Sequence, residues 1–207
     1  MSFQPFLPIT GTAAALLQPN IDTDVIIRVD HLTKGRSEVG PFAFEALRYT
    51  TDGKEDPSFP LNRPQFRGSP ILLTGANFGC GSSREPAVWA LAGLGIRCLI
   101  GTTFGDIFVA NCAQNGVLVV SMTSAHLDQI ALAAADATAI TVDLSTQTVN
   151  AEGGRTWTFD VLPAAKESLL RGLDDIELAL ADAPLIAAWQ EHDRVVRPWI
   201  WATTPRQ

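Results

Sequence analysis

The sequence predicts an α/β fold, and three short apolar runs are the first observation that indicates it. The runs cover residues 70–74, 97–101 and 117–121. Segments with helical character separate them, over residues 85–95 and 106–115. Strands that alternate with helices of this length are typical of βαβ units, so we expect a largely parallel sheet.

The part of the chain before the first of these runs is far less regular. A strand is predicted over residues 25–29, directly after an acidic turn at residues 20–24. Residues 31–68 are rich in glycine, proline and charged side chains, and only residues 42–49 have helical character. An irregular stretch of this length in a compact domain is more often functional, or ordered by a partner, than without a role.

The last third predicts antiparallel strands followed by helices. Residues 139–144 and 155–161 flank a turn at residues 152–154, which is the pattern of a β-hairpin. A helix is then predicted over residues 163–171. Gly172 would end it in a left-handed conformation, as Gly116 would end the helix predicted over residues 106–115.

The carboxyl-terminal end is predicted to be helical and to dock against another surface. Asp174 begins one helix, and a final amphipathic helix starts at Pro184. Trp189, Trp199 and Trp201 lie in this region, and exposed aromatic side chains at a terminus indicate contact with the domain or with another chain. We expect a single domain over residues 1–207, with a core over about 16–190 and a helical extension over 184–207.

Composition and charge exclude several classes of protein. The 207-residue chain has a net charge of −7 and its 15 lysine and arginine residues are scattered, so no nucleic-acid partner is expected. No stretch approaches the roughly 20 apolar residues of a membrane-spanning helix. No lysine or arginine precedes Arg28, and the apolar run at residues 12–17 is too short for a signal peptide. We therefore expect a cytoplasmic protein without a membrane partner.

The cysteines and histidines do not form a metal-binding motif. Cys80, Cys98 and Cys112 are widely spaced with no CxxC pair, and the three histidines are equally scattered. This spacing supports neither a disulfide framework nor a zinc or iron–sulfur site. We expect no cofactor and no metal bound by this chain alone.

The stretch NFGCGSSREP, at residues 77–86, is the strongest candidate for a site. It has no lysine, so it is not a Walker phosphate loop, and it lacks the third glycine of the dinucleotide-binding motif GxGxxG. Cys80 would need a base to act as a nucleophile, and no histidine is close in sequence. We interpret Cys80 as a small residue that fills a tight turn.

The serines and the arginine of this stretch indicate an anion site. Ser82 to Glu85 match an S-x-x-E capping box, although Pro86 favours a helix start at Ser83 or later. Free N–H groups at a helix start, together with the guanidinium of Arg84, suit a carboxylate. The alternative interpretation is a capped helix with an incidental surface arginine.

Five stretches resemble one known family. They are NIDTDVII, PSFPLNRPQFRGSPILL, NFGCGSSRE followed by WAL, FGDIFVANCAQNGVL and LLRGLDDIELAL, and they extend over about residues 16–190. They are similar to the small subunits of 3-isopropylmalate dehydratase, which are swivelling domains of the aconitase superfamily. The resemblance implies an aconitase-type swivelling β/β/α domain, an α/β fold with a mixed-sheet, barrel-like core flanked by helices.

The resemblance also implies an activity and a partner. The family is a hydro-lyase that interconverts 2-isopropylmalate and 3-isopropylmalate through isopropylmaleate in leucine biosynthesis. A separate large subunit holds the [4Fe–4S] cluster, and the small subunit acts only within a heterodimer or heterotetramer. By match to the family motif, Ser82 would be the catalytic base, Ser83 and Arg84 would bind a substrate carboxylate, and Asp24 would support Arg84 or the site around it.

Two departures from the family pattern leave the substrate open. Pro86 stands where the family usually has histidine, and Arg28 where it usually has proline. The family reads the variable side group of the substrate with the segment at residues 28–40. Arg28, Lys34 and Arg36 are therefore candidates for added carboxylate contacts, with a solvated basic loop as the alternative. His31 in this segment is interpreted as a surface histidine. The alternative functions are a hydratase subunit for another 2-alkylmalate, citraconate or homoaconitate-type diacid, and a non-catalytic module that has lost its large subunit.

Overall fold

Two four-stranded sheets organise the chain in the computed structural model, which describes residues 3–81 and 84–201. The strands in chain order are β1 (Ile9–Gly11), β2 (Ala13–Leu16), β3 (Ile71–Thr74), β4 (Cys98–Gly101), β5 (Leu118–Ser121), β6 (Ile140–Asp143), β7 (Thr148–Ala151) and β8 (Arg155–Thr158). The α-helices are α1 (Thr23–Ile26), α2 (Glu45–Arg48), α3 (Glu85–Gly93), α4 (Asp106–Gln114), α5 (Ser124–Ala134), α6 (Pro163–Arg171), α7 (Asp175–Ala181), α8 (Ala183–Val196) and α9 (Pro198–Trp201).

One sheet is fully parallel, with the strand order β2-β3-β4-β5. Every residue of β3 and β4 is buried, because both faces of this sheet are covered by other elements. Strands that are buried on both faces are continuous apolar runs without alternation, and the sequence has such runs at both positions. The predicted parallel sheet is therefore confirmed.

Two hydrophobic clusters lie on opposite faces of the parallel sheet. Leu72 and Leu99 belong to one cluster, together with apolar side chains of α1, α3 and α4. Their neighbours Leu73 and Ile100 belong to the other, which includes side chains of α5, α6 and the second sheet. Successive residues of a strand point to opposite faces, so the same strands support both clusters.

The second sheet is antiparallel, with the strand order β1-β6-β7-β8. The predicted hairpin between residues 139–144 and 155–161 is wrong in its pairing, because β7 lies between these segments and pairs with both. A turn in which the Asp143 carboxylate accepts a hydrogen bond from the Ser145 N–H at 2.7 Å connects β6 to β7. The predicted turn at residues 152–154 connects β7 to β8.

The predicted strand over residues 25–29 is also wrong, because this part of the chain contains the short helix α1. Asp22 is its N-cap, and the side chain accepts a hydrogen bond from the Val25 N–H at 2.8 Å. Ile26 and Ile27 are fully buried. A β-branched run has strand propensity, but the aspartate cap and the burial of both isoleucines favour the helical turn. The strands β1 and β2 were not predicted.

The irregular stretch over residues 31–68 is ordered by contacts with the first cluster. The helix predicted over residues 42–49 is shorter, because Phe44 has a left-handed backbone conformation with φ of 55° and α2 begins only after it. The buried Asn62 side chain donates to the carbonyl oxygen of Arg48 at 2.7 Å and so holds the end of α2.

The carboxyl-terminal helices lead away from the two sheets. Helix α6 ends at Gly172, which has φ of 68°, as predicted. Helix α7 begins with a capping box, in which the Asp174 side chain accepts from the Glu177 N–H at 2.8 Å and the Glu177 side chain accepts from the Asp174 N–H at 3.1 Å. Helix α8 is exposed along most of its length. None of the helices in the described ranges has the length and apolar character needed to span a membrane.

Candidate active site

The turns that follow β2 and β3 lie side by side and form the base of the candidate site. Adjacent parallel strands end at the same edge of a sheet, which brings the two turns together. The Gly79 N–H donates to the Ile21 carbonyl oxygen at 2.7 Å, and the Thr23 N–H donates to the Cys80 carbonyl oxygen at 3.0 Å. These bonds join the NIDTD and NFGCG segments, which are far apart in sequence.

Glycine at two positions allows helix α4 to begin against this base. Gly79 has φ of 70°, and a Cβ there would lie 2.2 Å from the Phe108 ring. A Cβ on Gly105 would lie 2.6 Å from the Gly79 carbonyl oxygen. A larger residue at Gly79 would displace the Phe108 ring and strain a backbone with positive φ, and one at Gly105 would displace the Gly79 backbone. The cavity that remains has a volume of ≈ 250 Å³ and is lined by Thr23, Gly79, Cys80, Gly81, Arg84, Gly105, Asp106, Ile107 and Phe108.

Arg84 is the cationic side chain of this cavity, and Asp24 holds it. The guanidinium donates from Nη1 to Oδ1 of Asp24, which lies in the first turn of α1. The Arg84 side chain is 21% exposed and that of Asp24 53%, so the pair faces solvent on the aspartate side. The structure thus brings together two of the predicted site residues. Ser82 and Ser83, predicted as base and substrate ligand, lie outside the described residues.

Helix α3 begins at Glu85, which confirms the later start that Pro86 favoured and excludes a start at Ser82. Arg84 is the N-cap and has an extended backbone. Because Glu85 is the first helical residue, it cannot be the third-position acid of a capping box, and that interpretation is wrong. Pro86 is the second helical residue, where its missing N–H leaves no intrahelical bond unmade.

Asn115 holds the first turn of α3 against the end of α4, which sequence analysis did not anticipate. Its Nδ2 donates to the Glu85 carboxylate and to the Asn111 carbonyl oxygen, both at 2.9 Å. Its Oδ1 accepts from the Trp89 indole N–H at 3.0 Å. The residue is 5% exposed, so these bonds satisfy a buried amide. An asparagine before a glycine is usual at a helix end, and no local signal indicates contacts 26 to 30 residues away.

Comparison with known proteins identifies the family. The model of the aconitase C-terminal domain matches residues 3–125.

The chain belongs to the aconitase C-terminal domain family.

Curated relatives of similar length carry a more specific name. The chain is 45% identical over 201 residues to the 3-isopropylmalate dehydratase small subunit of Dinoroseobacter shibae, which covers 95% of this chain and 100% of that protein. It is 44% identical over 200 residues to the small subunit of the same name from Paramagnetospirillum magneticum, with 95% and 100% coverage. These matches confirm the resemblance that the five sequence stretches indicated.

A solved structure shares the fold. The crystal structure of 3-isopropylmalate dehydratase from Methanocaldococcus jannaschii superposes with a TM-score of 0.65 and covers 89% of this chain and 99% of its own. The two sequences are 24% identical, so this likeness concerns the fold alone. Together with the family match, it confirms the predicted aconitase-type α/β fold.

In this aconitase C-terminal domain, Arg28 and Arg36 do not line the cavity that contains Arg84. The Arg28 side chain is 54% exposed, and its Nε lies 4.0 Å from the Glu45 carboxylate. Arg36 lines a separate cleft of ≈ 640 Å³ beside Trp89, called the Trp89 cleft below. The structure therefore does not bring these two predicted substrate ligands together with Arg84.

His31 is not a surface histidine, which corrects the sequence-based interpretation. Its ring stacks on Phe42 with centroids 4.0 Å apart, and its Nε2 lies 2.9 Å from the Glu45 carboxylate. The side chain is only 14% exposed. This contact holds the 3₁₀ turn Val29–His31 against α2 and gives the histidine a structural role.

The cysteines differ in their surroundings. Cys98 and Cys112 are fully buried, and burial in the apolar clusters raises the pKa of both thiols. Cys80 is partly exposed at the cavity. Across residues 3–81 and 84–201, no three histidine, cysteine or acidic side chains are grouped as metal ligands would be.

Proposed function

We propose that this chain is the small subunit of a two-subunit 3-isopropylmalate dehydratase. The enzyme is a hydro-lyase that interconverts 2-isopropylmalate and 3-isopropylmalate through isopropylmaleate, in leucine biosynthesis. The observation that carries the proposal is the 45% identity to a small subunit of this name over that protein's full length. Relatives this similar do not favour a different diacid or a non-catalytic module.

The cluster belongs to the large subunit in this proposal. An iron–sulfur cluster requires several cysteine thiolates. Cys98 and Cys112 are buried in hydrophobic clusters on opposite faces of the parallel sheet, and Cys80 lies at the cavity, so the three thiols do not converge on one point. The residues of this chain therefore do not fit the cluster as ligands, and we assign it to the partner. A cluster held by the large subunit would supply Lewis-acid chemistry toward the substrate hydroxyl.

This chain would supply the base and a carboxylate site. In our proposal, Ser82 removes the proton from the carbon next to a carboxylate, while Ser83 and Arg84 bind that carboxylate. A serine hydroxyl is a very weak base, so its anion must be stabilised. In our proposal, Arg84, held by Asp24, and the amide groups at the start of α3 would supply the positive charge that stabilises this anion.

Docking of the large subunit would strengthen both effects. Exclusion of water lowers the local dielectric constant and so increases each charge interaction. The open cavity of ≈ 250 Å³ supports this view, because the chain by itself leaves the site in contact with solvent. An isolated small subunit is then expected to be inactive.

The remaining assignments complete the proposal. The two hydrophobic clusters share the strands of one sheet, which supports a single domain over residues 1–207. We propose a cytoplasmic heterodimer or heterotetramer with the large iron–sulfur subunit. Arg28 and Arg36 stay predicted substrate ligands, and closure of the large subunit would have to bring them to the substrate.

The test of the base is Ser82→Ala in the complex reconstituted with the large subunit. We expect complex formation with an unchanged Kd and a loss of kcat of at least about 100-fold, since general acid–base catalysis contributes about 10²–10⁴-fold. Ser145→Ala, in an exposed turn, is the matched control and keeps normal kcat. Near-normal kcat in Ser82→Ala would show that another group is the base.

A further inference from the structure

Ile107 is an apolar residue that the proposed chemistry does not use, although it lines the cavity that contains Arg84, called the Arg84 cavity below. Its side chain is 54% exposed. The other uncharged residues described in this lining offer little apolar surface, because Phe108 and Thr23 are buried, three are glycines and Cys80 is small. A large apolar side chain that stays exposed in a binding cavity is a candidate contact for an apolar part of the ligand.

The first turn of α4 holds Ile107 in place. The Gly105 N–H donates to the Phe78 carbonyl oxygen at 3.0 Å, and the Gly105 carbonyl oxygen accepts from the Val109 N–H, also at 3.0 Å. The Phe108 ring packs in the core with its centre 5.7 Å from that of Phe78. Successive helical residues are rotated by about 100°, so the residue before Phe108 faces away from the core. Ile107 is also β-branched and has few rotamers in a helix, which keeps the entropy lost on contact small.

The covalent structure of the proposed substrate limits where its isopropyl group can lie. In 2-isopropylmalate and in 3-isopropylmalate, at most three bonds separate the branching carbon of this group from either carboxyl carbon. At about 1.5 Å per bond, the separation is below about 4 Å. Whichever carboxylate Arg84 binds, the isopropyl group must therefore lie in the Arg84 cavity or at its opening, within reach of an apolar residue of the lining.

The charges of the Arg84 cavity favour a substituent without charge. Arg84 is paired with Asp24, and its guanidinium can compensate the one carboxylate that it binds. Asp106, which directly precedes Ile107 in α4, also lines the cavity. A substituent with a carboxylate of its own would meet this second negative charge, and like charges repel. An alkyl group has no such cost.

We propose that Ile107 is a specificity-determining residue that contacts the alkyl substituent of the substrate, an inference that rests on the proposed function. The segment at residues 28–40, to which the resemblance gives this role, is fully described and does not line the Arg84 cavity. Lys34 and Arg36 line the Trp89 cleft instead. The size of the alkyl group that the enzyme accepts then depends on the first turn of α4.

The experiment compares 2-isopropylmalate with 2-methylmalate as substrates of the complex reconstituted with the large subunit. For Ile107→Ala, we expect kcat/KM on 2-isopropylmalate to fall about 10-fold, and on 2-methylmalate to stay within about 2-fold, because the loss of one methylene contact costs about 10-fold or more. Ile107→Val should lower the first value about 3-fold. Val109→Ala is the matched control, since Val109 lies on the same helix, is 38% exposed and does not line the cavity. Calorimetry adds the apparent Kd of both diacids and the Kd of the large subunit.

The outcomes separate the possible explanations. If Ile107→Ala leaves the ratio of the two kcat/KM values unchanged, or lowers both values equally, the proposal is overturned. A weaker Kd for the large subunit with an unchanged ratio also overturns it and assigns Ile107 to the subunit interface. If the unmodified pair binds 2-isopropylmalate without turning it over, the proposed function fails. Ile107 keeps its role in that case if Ile107→Ala raises the apparent Kd of 2-isopropylmalate about 10-fold relative to that of 2-methylmalate, and loses it otherwise. An unmodified pair that binds neither diacid contradicts both proposals.

Discussion

Arg84 has the position and the chemistry that binding of a carboxylate requires. It is the N-cap of α3, so its backbone is fixed by the helix that follows. Asp24 holds one side of its guanidinium. A planar guanidinium can bind both oxygens of a carboxylate, whereas the ammonium of a lysine binds as a point charge. The position and the chemistry of this carboxylate site thus depend on Arg84 and its partner Asp24.

Arg84→Lys is expected to raise KM and lower kcat for 2-isopropylmalate in the reconstituted enzyme. Loss of one charge-assisted hydrogen bond corresponds to about 1.5–3 kcal/mol, so kcat/KM should fall about 10- to 100-fold. Steady-state kinetics at saturating large subunit measure this. Arg63→Lys, outside the cavity, serves as control. Unchanged kinetics in Arg84→Lys would remove Arg84 from the site.

Asn115 acts at the same scale through Glu85, and its replacement by aspartate tests this. Asn115→Asp keeps the oxygen that accepts from Trp89 but places a carboxylate against the Glu85 carboxylate, in a buried position. We expect the free energy of unfolding in urea at pH 7 to fall by about 1–3 kcal/mol. Adding Glu85→Gln should restore much of the lost free energy of unfolding, because the amide introduced at position 85 can donate to the carboxylate introduced at position 115. A double variant no more stable than Asn115→Asp would contradict this pairing.

At the scale of elements, two glycines determine how closely α3 packs against the chain before α2. A Cβ on Gly40 would lie 2.8 to 2.9 Å from backbone atoms of Gly93, and a Cβ on Gly93 would lie 2.6 Å from the Gly40 Cα. This backbone contact positions the irregular segment beside the helix whose first turn bears Arg84. Neither glycine can be replaced without separating the two elements.

Gly93→Ala is expected to lower the free energy of unfolding by about 1–3 kcal/mol through overpacking. Although alanine favours helix more than glycine does, backbone atoms at this distance cannot move aside as a flexible side chain can. Gly35→Ala provides the comparison, because a Cβ there meets only the carboxylate end of Glu38. Urea unfolding measures both variants, and equal stability for the two would mean that the close approach is relaxed in solution.

At the scale of the whole molecule, the parallel sheet connects two hydrophobic clusters that would otherwise be separate. Leu72 and Leu73 are adjacent in β3, both fully buried, and point into different clusters. Because each strand contributes to both faces, loss of packing on one face should weaken the sheet for the other. Unfolding of the two clusters is therefore expected to be one cooperative event.

Leu72→Ala and Leu73→Ala are expected to lower the free energy of unfolding by about 2–5 kcal/mol each. Far-ultraviolet circular dichroism and tryptophan fluorescence should give coincident urea transitions in both variants. Leu132→Ala, at an exposed position, is the control and should change stability by less than about 0.5 kcal/mol. Two separate transitions in either core variant would show that the clusters unfold independently.

Local signals in the sequence were sufficient to predict the apolar strands of the parallel sheet and the helices that end beside a glycine. The strands β3, β4 and β5 are short apolar runs, of which β3 and β4 are fully buried, and the ends of α4 and α6 lie beside glycines. Where local preference and packing disagree, packing prevailed: α1 replaces a predicted strand, and β7 was inserted into a predicted hairpin. Intrinsic secondary-structure propensity contributes little free energy, and the burial of a few side chains outweighs it.

The sequence by itself determined the parallel αβ core, the family and the stretch at residues 77–86 as a candidate site. The resemblance already implied that Asp24 supports Arg84 or the site around it; the tertiary structure decided which atoms of the two residues meet, that Asn115 fixes the start of α3, and that Arg28 and Arg36 lie outside the cavity of Arg84. These contacts join residues 30 to 60 positions apart. No local pattern encodes them, because they depend on which strand ends and helix ends the fold brings to one edge of the sheet.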